Sequence, residues 1–469
     1  MKNKIKNIYL IGVKGVGMTM LAQFLARKGN KLIGSDIEDT FLTDKVLKKA
    51  KIKVYSPFDI KNIPTHADLI VHSSAFNVSN NVELAYIKNN PDKFKNIPLL
   101  SYAEALGAVF NEYSGIAVCG SHGKTTTSAW LGYVLEKAGK SPSVLVGSRV
   151  PQFNGSSLLG KSKYFVAEVD EYQNKLQYFK PQGVVLNNIE FDHPDFFKDL
   201  AAYTKVFADF VKKIPENGFL VINNRDSETK KIKKYCHGQI LTYDILRNDK
   251  SAETVNYLAH DLKIEKTYQT FSVNNLGKFK ISLWGEHNIY NALAVIASAR
   301  ALKVSTADIK KHLASFKGTE RRAQILGKYK GATIIDDYAH HPTEIKTTLE
   351  GIRKHYSKNN LVTVFHPHTY TRTKALFKDF VKSLGATDEL IVLDIYGSAR
   401  EKQGGVSSAE LVNEIIKYNK KNNIIQNVSN ISNIEKAIKY LKPRLSNKDV
   451  LLLMGAGDVF RVGESLLVK

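Results

Sequence analysis

The sequence predicts an α/β protein with three domains, and three observations support this prediction. The chain has 469 residues, which corresponds to about three domains at roughly 100–200 residues each. Short apolar runs alternate with helical segments along the chain, a pattern typical of parallel sheets covered by helices on both faces. Glycine-rich turns follow three of the apolar runs, and open α/β sheets bind their ligands at such strand ends.

The first domain, residues 1–110, is predicted to be Rossmann-like because a strand, a glycine-rich turn and a helix follow one another at its start. The strand covers Ile8–Val13 and the helix covers Met18–Lys28. Two later strands are predicted at Lys31–Gly34 and Asp68–His72.

The turn between the first strand and helix departs from the dinucleotide-binding fingerprint at one position. That fingerprint requires glycines where Gly12, Lys14 and Gly17 stand, so Lys14 breaks it. Asp36 lies about 20 residues further on, where an acid that binds a ribose hydroxyl is expected. We therefore predict that this domain binds a nucleotide diphosphate. A plain tight turn is the alternative.

The second domain, residues 111–316, contains the most informative stretch of the chain, Gly120–Thr127. It follows a buried strand, Gly115–Cys119, and precedes a helical segment, Ser128–Ala138. Backbone N–H groups and the helix dipole favour a phosphate at such a place. Lys124 can reach β- and γ-phosphate oxygens, and the Thr125 hydroxyl can bind Mg²⁺. Since Val118 replaces the usual first glycine, the loop is a shortened form, and we predict a central domain of the P-loop ATPase type.

Two acidic clusters follow further strands of this domain. Glu168 ends the strand Tyr164–Glu168, and His193 closes a polar segment after the strand Gly183–Asn187. Carboxylates near a triphosphate are natural Mg²⁺ ligands, because hard cations prefer oxygen. His193 is either a second metal ligand or a hydrogen-bonding group. The alternatives are a loop cap for Glu168 and a surface position for His193.

The rest of the second domain is predicted to hold a strand, a hairpin and a helix. The strand is Gly218–Ile222, and the hairpin spans Thr267–Leu283 with its turn at Asn274–Gly277. The helix, Asn288–Leu302, begins with an asparagine that is also an ordinary N-cap.

The third domain, residues 317–469, is predicted to be a second Rossmann-like unit. Its strands are expected at Thr333–Asp336, Leu361–Phe365, Glu389–Leu393 and Val450–Met454. Charged and imidazole groups follow the first two, in Asp336–Pro342 and His366–Arg372, and Gly455–Asp458 follows the last. Such groups at neighbouring strand ends suggest one site, and the planar fork of Arg372 suits a carboxylate.

Composition restricts the class of partner. The net charge is +23, but the lysines are scattered and form no long basic block, which favours small anionic substrates over nucleic acid or a membrane surface. No stretch approaches the ~20 apolar residues of a membrane span. The two cysteines, Cys119 and Cys236, form no metal-binding pair and fit a reducing compartment. We expect a cytoplasmic protein.

The motifs together resemble the Mur ligases, ATP-dependent enzymes that build the peptide of bacterial peptidoglycan. The resemblance covers nearly the whole chain, and the shortened Gly120–Thr127 loop is the form found in that superfamily. It implies ATP and Mg²⁺ as cofactors and an acyl phosphate as intermediate. Alternatives from other classes are a nicotinamide-dependent dehydrogenase built on the first domain and a nucleotide-gated binding protein without catalysis.

The resemblance also indicates the substrates. Gly12–Met18, Gly34–Asp36, His366–Arg372, Asp394–Glu401 and Gly405–Ser408 are similar to enzymes that join L-alanine to the carboxylate of UDP-N-acetylmuramate. The alternative amino component is a whole tripeptide, which Asn187–His193 and Glu171–Tyr172 favour.

The resemblance implies a role for each of the following residues. ATP would be bound by Gly120, Ser121, His122, Gly123, Lys124, Thr125, Thr126, Asn288, Asn291, Arg322 and Asp337. The metal would be bound by Thr125, Glu168 and His193. The incoming amino acid would be placed by Tyr338, His341 and Arg372. The UDP-sugar would be bound by Gly12, Gly15, Gly17, Asp36, Ser73 and Ser74. The catalytic residues would be Lys124, Glu168, His193, His341 and Arg372, with His341 a candidate general base. Since these residues come from three domains, domain closure is expected during turnover.

Overall fold

A computed structural model describes residues 6–247, 255–265, 267–397 and 403–468. The chain forms two compact units. The first comprises residues 1–189, 204–258 and 293–316, and the second comprises 190–203, 259–292 and 317–469. The first unit therefore includes all of the predicted first domain and most of the second. The boundaries of the three domains stay a prediction.

The strands and helices alternate along most of the chain. The strands are β1 Asn7–Ile11, β2 Lys31–Ser35, β3 Lys53–Tyr55, β4 Leu69–His72, β5 Leu99–Ser101, β6 Ser114–Cys119, β7 Ser143–Val150, β8 Gly155–Leu158, β9 Tyr164–Glu168, β10 Gly183–Leu186, β11 Phe219–Asn223, β12 Gln239–Ile245, β13 Tyr257–Ile264, β14 Gln269–Val273, β15 Gly277–Ile281, β16 Gln324–Tyr329, β17 Ala332–Asp337, β18 Asn360–Phe365, β19 Glu389–Val392, β20 Asn427–Asn430 and β21 Asp449–Met454. The helices are α1 Val16–Arg27, α2 Leu42–Lys49, α3 Val82–Asn89, α4 Pro91–Phe94, α5 Tyr102–Phe110, α6 Lys124–Lys137, α7 Leu200–Val211, α8 Ser227–Ile232, α9 Glu286–Ala301, α10 Thr306–Ser315, α11 Pro342–His355, α12 Tyr370–Ala375, α13 Phe377–Ser383, α14 Ser408–Lys421, α15 Ile434–Leu441 and α16 Phe460–Leu467.

The first sheet of the first unit is parallel, with strand order β3-β2-β1-β4-β5. Its apolar residues make a core with α3 and α4: Tyr9, Ile11, Ile70, Leu84, Ile87 and Phe94. The strand order changes direction between β1 and β4, because β2 and β3 lie on one side of β1 while β4 and β5 lie on the other. The turns after β1 and β4 therefore open onto the crevice where such sheets bind ligands.

The first unit also contains seven paired strands in the order β12-β11-β10-β6-β9-β7-β8. Of their pairs, only β7–β8 at the edge is antiparallel. The central strand β6 lies between β9 and β10, with Cys119 opposite Leu186 and Val118 opposite Glu168. The loop after β6 is therefore flanked by the ends of both neighbours. Helix α6 behind it is buried on every face from Thr125 to Leu135, and its charged residues stand only at its two ends.

The second unit contains a third sheet, in the order β16-β17-β21-β18-β19-β20. It also contains the antiparallel strands β14 and β15 and all but the first two residues of β13. Only β16 is antiparallel in the third sheet. Apolar clusters cover both of its faces, as a doubly wound unit requires. Asp337 and Phe365 both pair with Met454, so the segments after β17, β18 and β21 leave the same edge.

Most of the predicted elements are confirmed within one or two residues. Strand β9 has the predicted bounds, and β14 and β15 form the predicted hairpin. Helix α6 differs by more: it begins at Lys124 instead of Ser128, because Gly123 adopts the left-handed conformation and its carbonyl accepts the Thr127 N–H. Among the described residues, none of the helices has the length and apolar character needed to cross a membrane.

Candidate active site

The glycine loop of the first unit is built for close backbone packing. Gly120 has φ +119°, and a Cβ atom there would lie 2.7 Å from the carbonyl oxygen of Asn188. Gly123 has φ +78° and is the N-cap of α6. Both glycines are therefore required by the path of the chain. The loop leads directly into the helix N-terminus, where backbone N–H groups and the dipole favour a phosphate.

Two asparagines that follow β10 hold the loop. The Asn188 side-chain oxygen accepts the His122 N–H at 2.8 Å, and its carbonyl accepts the Ser121 N–H at 3.1 Å. Asn187 donates to the His122 carbonyl at 3.1 Å and to the Thr127 hydroxyl at 3.2 Å. The two asparagines lie where the predicted strand ends and the polar segment after it begins, but no contact with the loop was predicted for them. The signal was their position just after a strand.

The ammonium group of Lys124 lies over the loop. It donates to the carbonyl oxygens of Gly120 at 2.5 Å and Ser121 at 3.0 Å, and it lies 3.8 Å from the buried carboxylate of Glu171. A cation is thus held beside the loop where phosphate oxygens would be bound.

Two of the predicted metal ligands lie together. The Thr125 hydroxyl donates to Glu168 at 2.8 Å, and the other Glu168 oxygen accepts the Gly147 N–H at 2.6 Å. A Cβ atom on Gly147 would lie 2.7 Å from that oxygen, so glycine permits the approach. A hydroxyl and a carboxylate are the hard oxygen donors that Mg²⁺ prefers, so these residues fit the ion. The third predicted ligand, His193, belongs to the second unit and has φ +57°.

The predicted sugar-nucleotide residues meet at the switch point of the first sheet. A Cβ atom on Gly12 would lie 2.8 Å from the Cβ of Ser73, and one on Gly17 would lie 2.9 Å from the Tyr102 ring. The turn is therefore packed against Ser73 and against Tyr102 at the start of α5.

The carboxylate of Asp36 organises this turn. It is 3% exposed and accepts the backbone N–H groups of Lys14 at 2.6 Å and Ile37 at 2.8 Å. The Lys14 ammonium donates to the carbonyls of Ile37 and Asp39. Lys14, the residue that breaks the fingerprint, thus stabilises the loop after β2. Binding of a ribose by Asp36 stays a prediction.

In the second unit, Asp337 and Arg322 lie beside β17. Asp337 is 5% exposed and accepts the N–H groups of Ala323 at 2.7 Å and Ala339 at 2.8 Å. Burial raises the pKa of Asp337, and the nearby Arg322 opposes that rise. The Arg322 guanidinium lies 5.3 Å from the centre of the Tyr338 ring and 3.9 Å from Glu344.

The start of α9 contains a chain of amide and imidazole contacts. Asn291 donates to the Asn288 oxygen at 3.0 Å, and the Asn288 amide nitrogen lies 2.6 Å from the Trp284 carbonyl and 3.1 Å from His287 Nε2. Burial lowers the pKa of His287 to about 4, and Arg322 adds to this effect. His287 is therefore neutral at physiological pH.

The residues predicted to bind the amino-acid substrate lie in segments that follow strands at one edge of the third sheet. His341 is the N-cap of α11, where its Nδ1 accepts the Thr343 N–H at 3.4 Å. Arg372 lies in α12 and forms an ion pair with Asp192. No role for Asp192 was predicted from the sequence. The segment Asp394–Glu401 is only partly described, because 398–402 lie outside the described residues.

Comparison with known proteins matches all three parts of the chain to one family. Three family profiles match: "Mur ligase family, catalytic domain" over 7–114, "Mur ligase middle domain" over 118–299 and "Mur ligase, glutamate ligase domain" over 321–457. A UDP-N-acetylmuramate–L-alanine ligase of Clostridium acetobutylicum is 39% identical over 471 residues, covering 100% of this chain and 99% of the relative. The protein of that name from Caldanaerobacter subterraneus is 38% identical, with 99% and 98% coverage.

Solved structures show the same fold. A UDP-N-acetylmuramate–alanine ligase of Thermotoga maritima aligns with a TM-score of 0.80 at 23% identity, over 98% of both chains. A murein peptide ligase of Psychrobacter arcticus aligns with a TM-score of 0.74 at 24% identity, again over 98% of both chains. The glycine loop and the sheets around it define a nucleotide-binding α/β enzyme. Because the similarity to these relatives extends over nearly the full length, the chain belongs to the Mur ligase family.

Proposed function

We propose that this protein joins L-alanine to the carboxylate of UDP-N-acetylmuramate, with conversion of ATP to ADP and phosphate. The observation that carries the proposal is the loop Gly120–Gly123, with Lys124 above it and the Thr125–Glu168 pair beside it. The substrates are supported by full-length relatives of that activity at 38–39% identity. Because the reaction consumes ATP and a nucleotide sugar, we expect it in the cytoplasm.

The proposed reaction has two steps. A carboxylate is a poor electrophile, so its oxygen first attacks the γ-phosphorus of ATP, which forms an acyl phosphate and releases ADP. The alanine amine then attacks the acyl carbon, loses a proton, and expels phosphate together with that carboxylate oxygen. Both steps bring anions together, so charge neutralisation and positioning dominate the catalysis.

The residues divide this work. Lys124 and the helix N-terminus neutralise phosphate oxygens, and Arg322 adds positive charge from the second unit. Thr125 and Glu168 would hold Mg²⁺, which would supply positive charge to the triphosphate and Lewis acidity at the transferred phosphoryl group. The UDP part is bound by Gly12, Gly15, Gly17, Ser73 and Ser74, and ATP is bound by Asn288 and Asn291. Tyr338, His341 and Arg372 place the amino acid.

We also propose that the three predicted domains divide the substrates. Residues 1–110 bind the UDP-sugar, 111–316 bind ATP, and 317–469 bind the amino acid. Separate profile matches over 7–114, 118–299 and 321–457 support a three-part chain, and the substrate of each part is our proposal.

One assay tests the proposed function. Purified protein is incubated with ATP, Mg²⁺ and UDP-N-acetylmuramate, together with L-alanine, glycine, L-serine or the tripeptide, and the products are weighed. We expect ADP release that requires both the sugar nucleotide and L-alanine, and a product heavier by one alanyl residue. Exclusive transfer of the tripeptide would overturn the amino-acid assignment, and ADP release without any acceptor would overturn the ligase assignment.

A further inference from the structure

Asp192 makes a buried, two-pronged contact with Arg372. Its Oδ1 lies 3.1 Å from Arg372 Nε and 3.0 Å from Nη2, and its Oδ2 lies 3.3 Å from Nη2. Each residue is 7% exposed. Both belong to the second unit, although they are 180 residues apart in the chain. A buried guanidinium–carboxylate pair of this kind fixes orientation as well as charge.

The contact uses only one edge of the guanidinium. The Nε–Nη2 edge faces Asp192, whereas Nη1 makes no hydrogen bond to any of the described residues. A guanidinium can receive a carboxylate along its Nε–Nη2 edge or along its Nη1–Nη2 edge, whereas the arginine's own Cδ blocks the third side. The edge that includes Nη1 is therefore the one left for a second anion.

Asp192 is itself held in place. Its Oδ1 also accepts the His193 backbone N–H at 2.7 Å, so the carboxylate cannot turn freely. The backbone of Arg372 is restrained as well, because Thr369, the N-cap of α12, accepts the Arg372 N–H at 3.4 Å. Restraint before binding reduces the entropy that a side chain loses when it binds a ligand.

We infer that Asp192 is a positioning residue that orients Arg372 so that its remaining edge receives the carboxylate of the incoming amino acid. This inference rests on the proposed function, in which Arg372 places that amino acid. The opposite role is that Asp192 competes with the substrate carboxylate for the same cation. The two roles predict effects of opposite sign when the Asp192 charge is removed.

The test is Asp192→Asn, which keeps the shape of the side chain and removes its charge. The KM for L-alanine should rise about tenfold, as when other residues that orient a binding group are changed. The KM values for ATP and for UDP-N-acetylmuramate should each change by less than about twofold. L-alaninamide, which has the amine but no carboxylate, is the second acceptor. The preference of the enzyme for L-alanine over L-alaninamide should fall by about the same tenfold factor.

Three results would overturn the inference: an unchanged KM for L-alanine, a lower one, or an equal loss for both acceptors, which indicates a merely structural role. The matched control is Asp388→Asn, which removes the charge from the Arg353–Asp388 pair at the amino end of β19. It should leave the preference unchanged. If Asp192→Asn does not fold, Asp192→Glu keeps the charge and should retain the preference, and its loss there would contradict the inference. A wild-type enzyme without L-alanine-dependent ADP release would instead contradict the proposed function.

Discussion

At the scale of single residues, the candidate site depends on charged groups whose partners are fixed by the fold. Lys124 is held by carbonyls of its own loop, Glu168 by a hydroxyl and a backbone N–H, and Arg372 by Asp192. Each group therefore has a defined position, and positioned charge is what a reaction between anions requires. Three predictions belong to this scale.

Replacing Lys124 with alanine should lower kcat by about 10²–10³-fold, because the cation that faces the phosphates is lost. The folded state should persist, as measured by circular dichroism and thermal unfolding. Lys137→Ala, at the exposed end of the same helix, is the control and should keep full activity. Wild-type turnover by Lys124→Ala would contradict the assigned role.

Replacing Glu168 with glutamine should raise the Mg²⁺ concentration for half-maximal rate by about tenfold, because an amide is a weaker ligand for a hard cation. Titration of the initial rate with MgCl₂ measures this. Glu136→Gln, an exposed position on α6, should give the wild-type curve. A Glu168→Gln enzyme with an unchanged Mg²⁺ requirement would exclude Glu168 as a ligand.

His287 should make the stability of the protein depend on pH. Its pKa falls from 6.5 to about 4 on folding, so the unfolded chain binds the proton more readily. The stability that neutral His287 contributes is full above pH 6.5 and is lost as the pH falls toward 4. Between pH 7 and pH 5, the unfolding free energy of the wild type should fall by roughly 1–2 kcal/mol more than that of His287→Gln. Parallel pH profiles from denaturant unfolding would refute this.

At the scale of elements, strands and their turns are predictable where the signal is local. The hairpin β14–β15 follows from alternation and turn residues. Strand β9 and strand β6 with its loop follow from short apolar runs. The Asn188–His122 and Asp192–Arg372 contacts join residues 66 and 180 positions apart. They depend on strand order and on packing between distant segments, which local periodicity does not encode.

The loop element can be tested by comparing two glycines with positive φ. Gly120→Ala places Cβ 2.7 Å from the Asn188 oxygen, whereas at Gly139 nothing lies within 4 Å. Both substitutions place an alanine at positive φ, +119° at Gly120 and +76° at Gly139, but only the first also brings a Cβ atom against the loop. Gly120→Ala should be less stable than Gly139→Ala by about 1–3 kcal/mol and should bind ATP more weakly in calorimetry. Equal behaviour of the two variants would show that the contact is not important.

At the scale of the whole molecule, the proposed roles are divided between two compact units, and the expected domain closure stays a prediction. The phosphate loop and the turns of the first sheet belong to the first unit, and Arg322, Asp337 and Arg372 belong to the second. The net charge of +23 provides a field that attracts anionic substrates to both. In the proposed reaction these parts act on one step, the transfer of the γ-phosphoryl group of ATP to the sugar carboxylate.

The most direct test of that claim follows the oxygen atoms. UDP-N-acetylmuramate labelled with ¹⁸O in its carboxylate is converted in the presence of ATP, Mg²⁺ and L-alanine, and the released phosphate is analysed by mass spectrometry. The proposed reaction moves one labelled oxygen from the carboxylate into each phosphate. Unlabelled phosphate, released while the product still forms, would contradict an acyl phosphate intermediate.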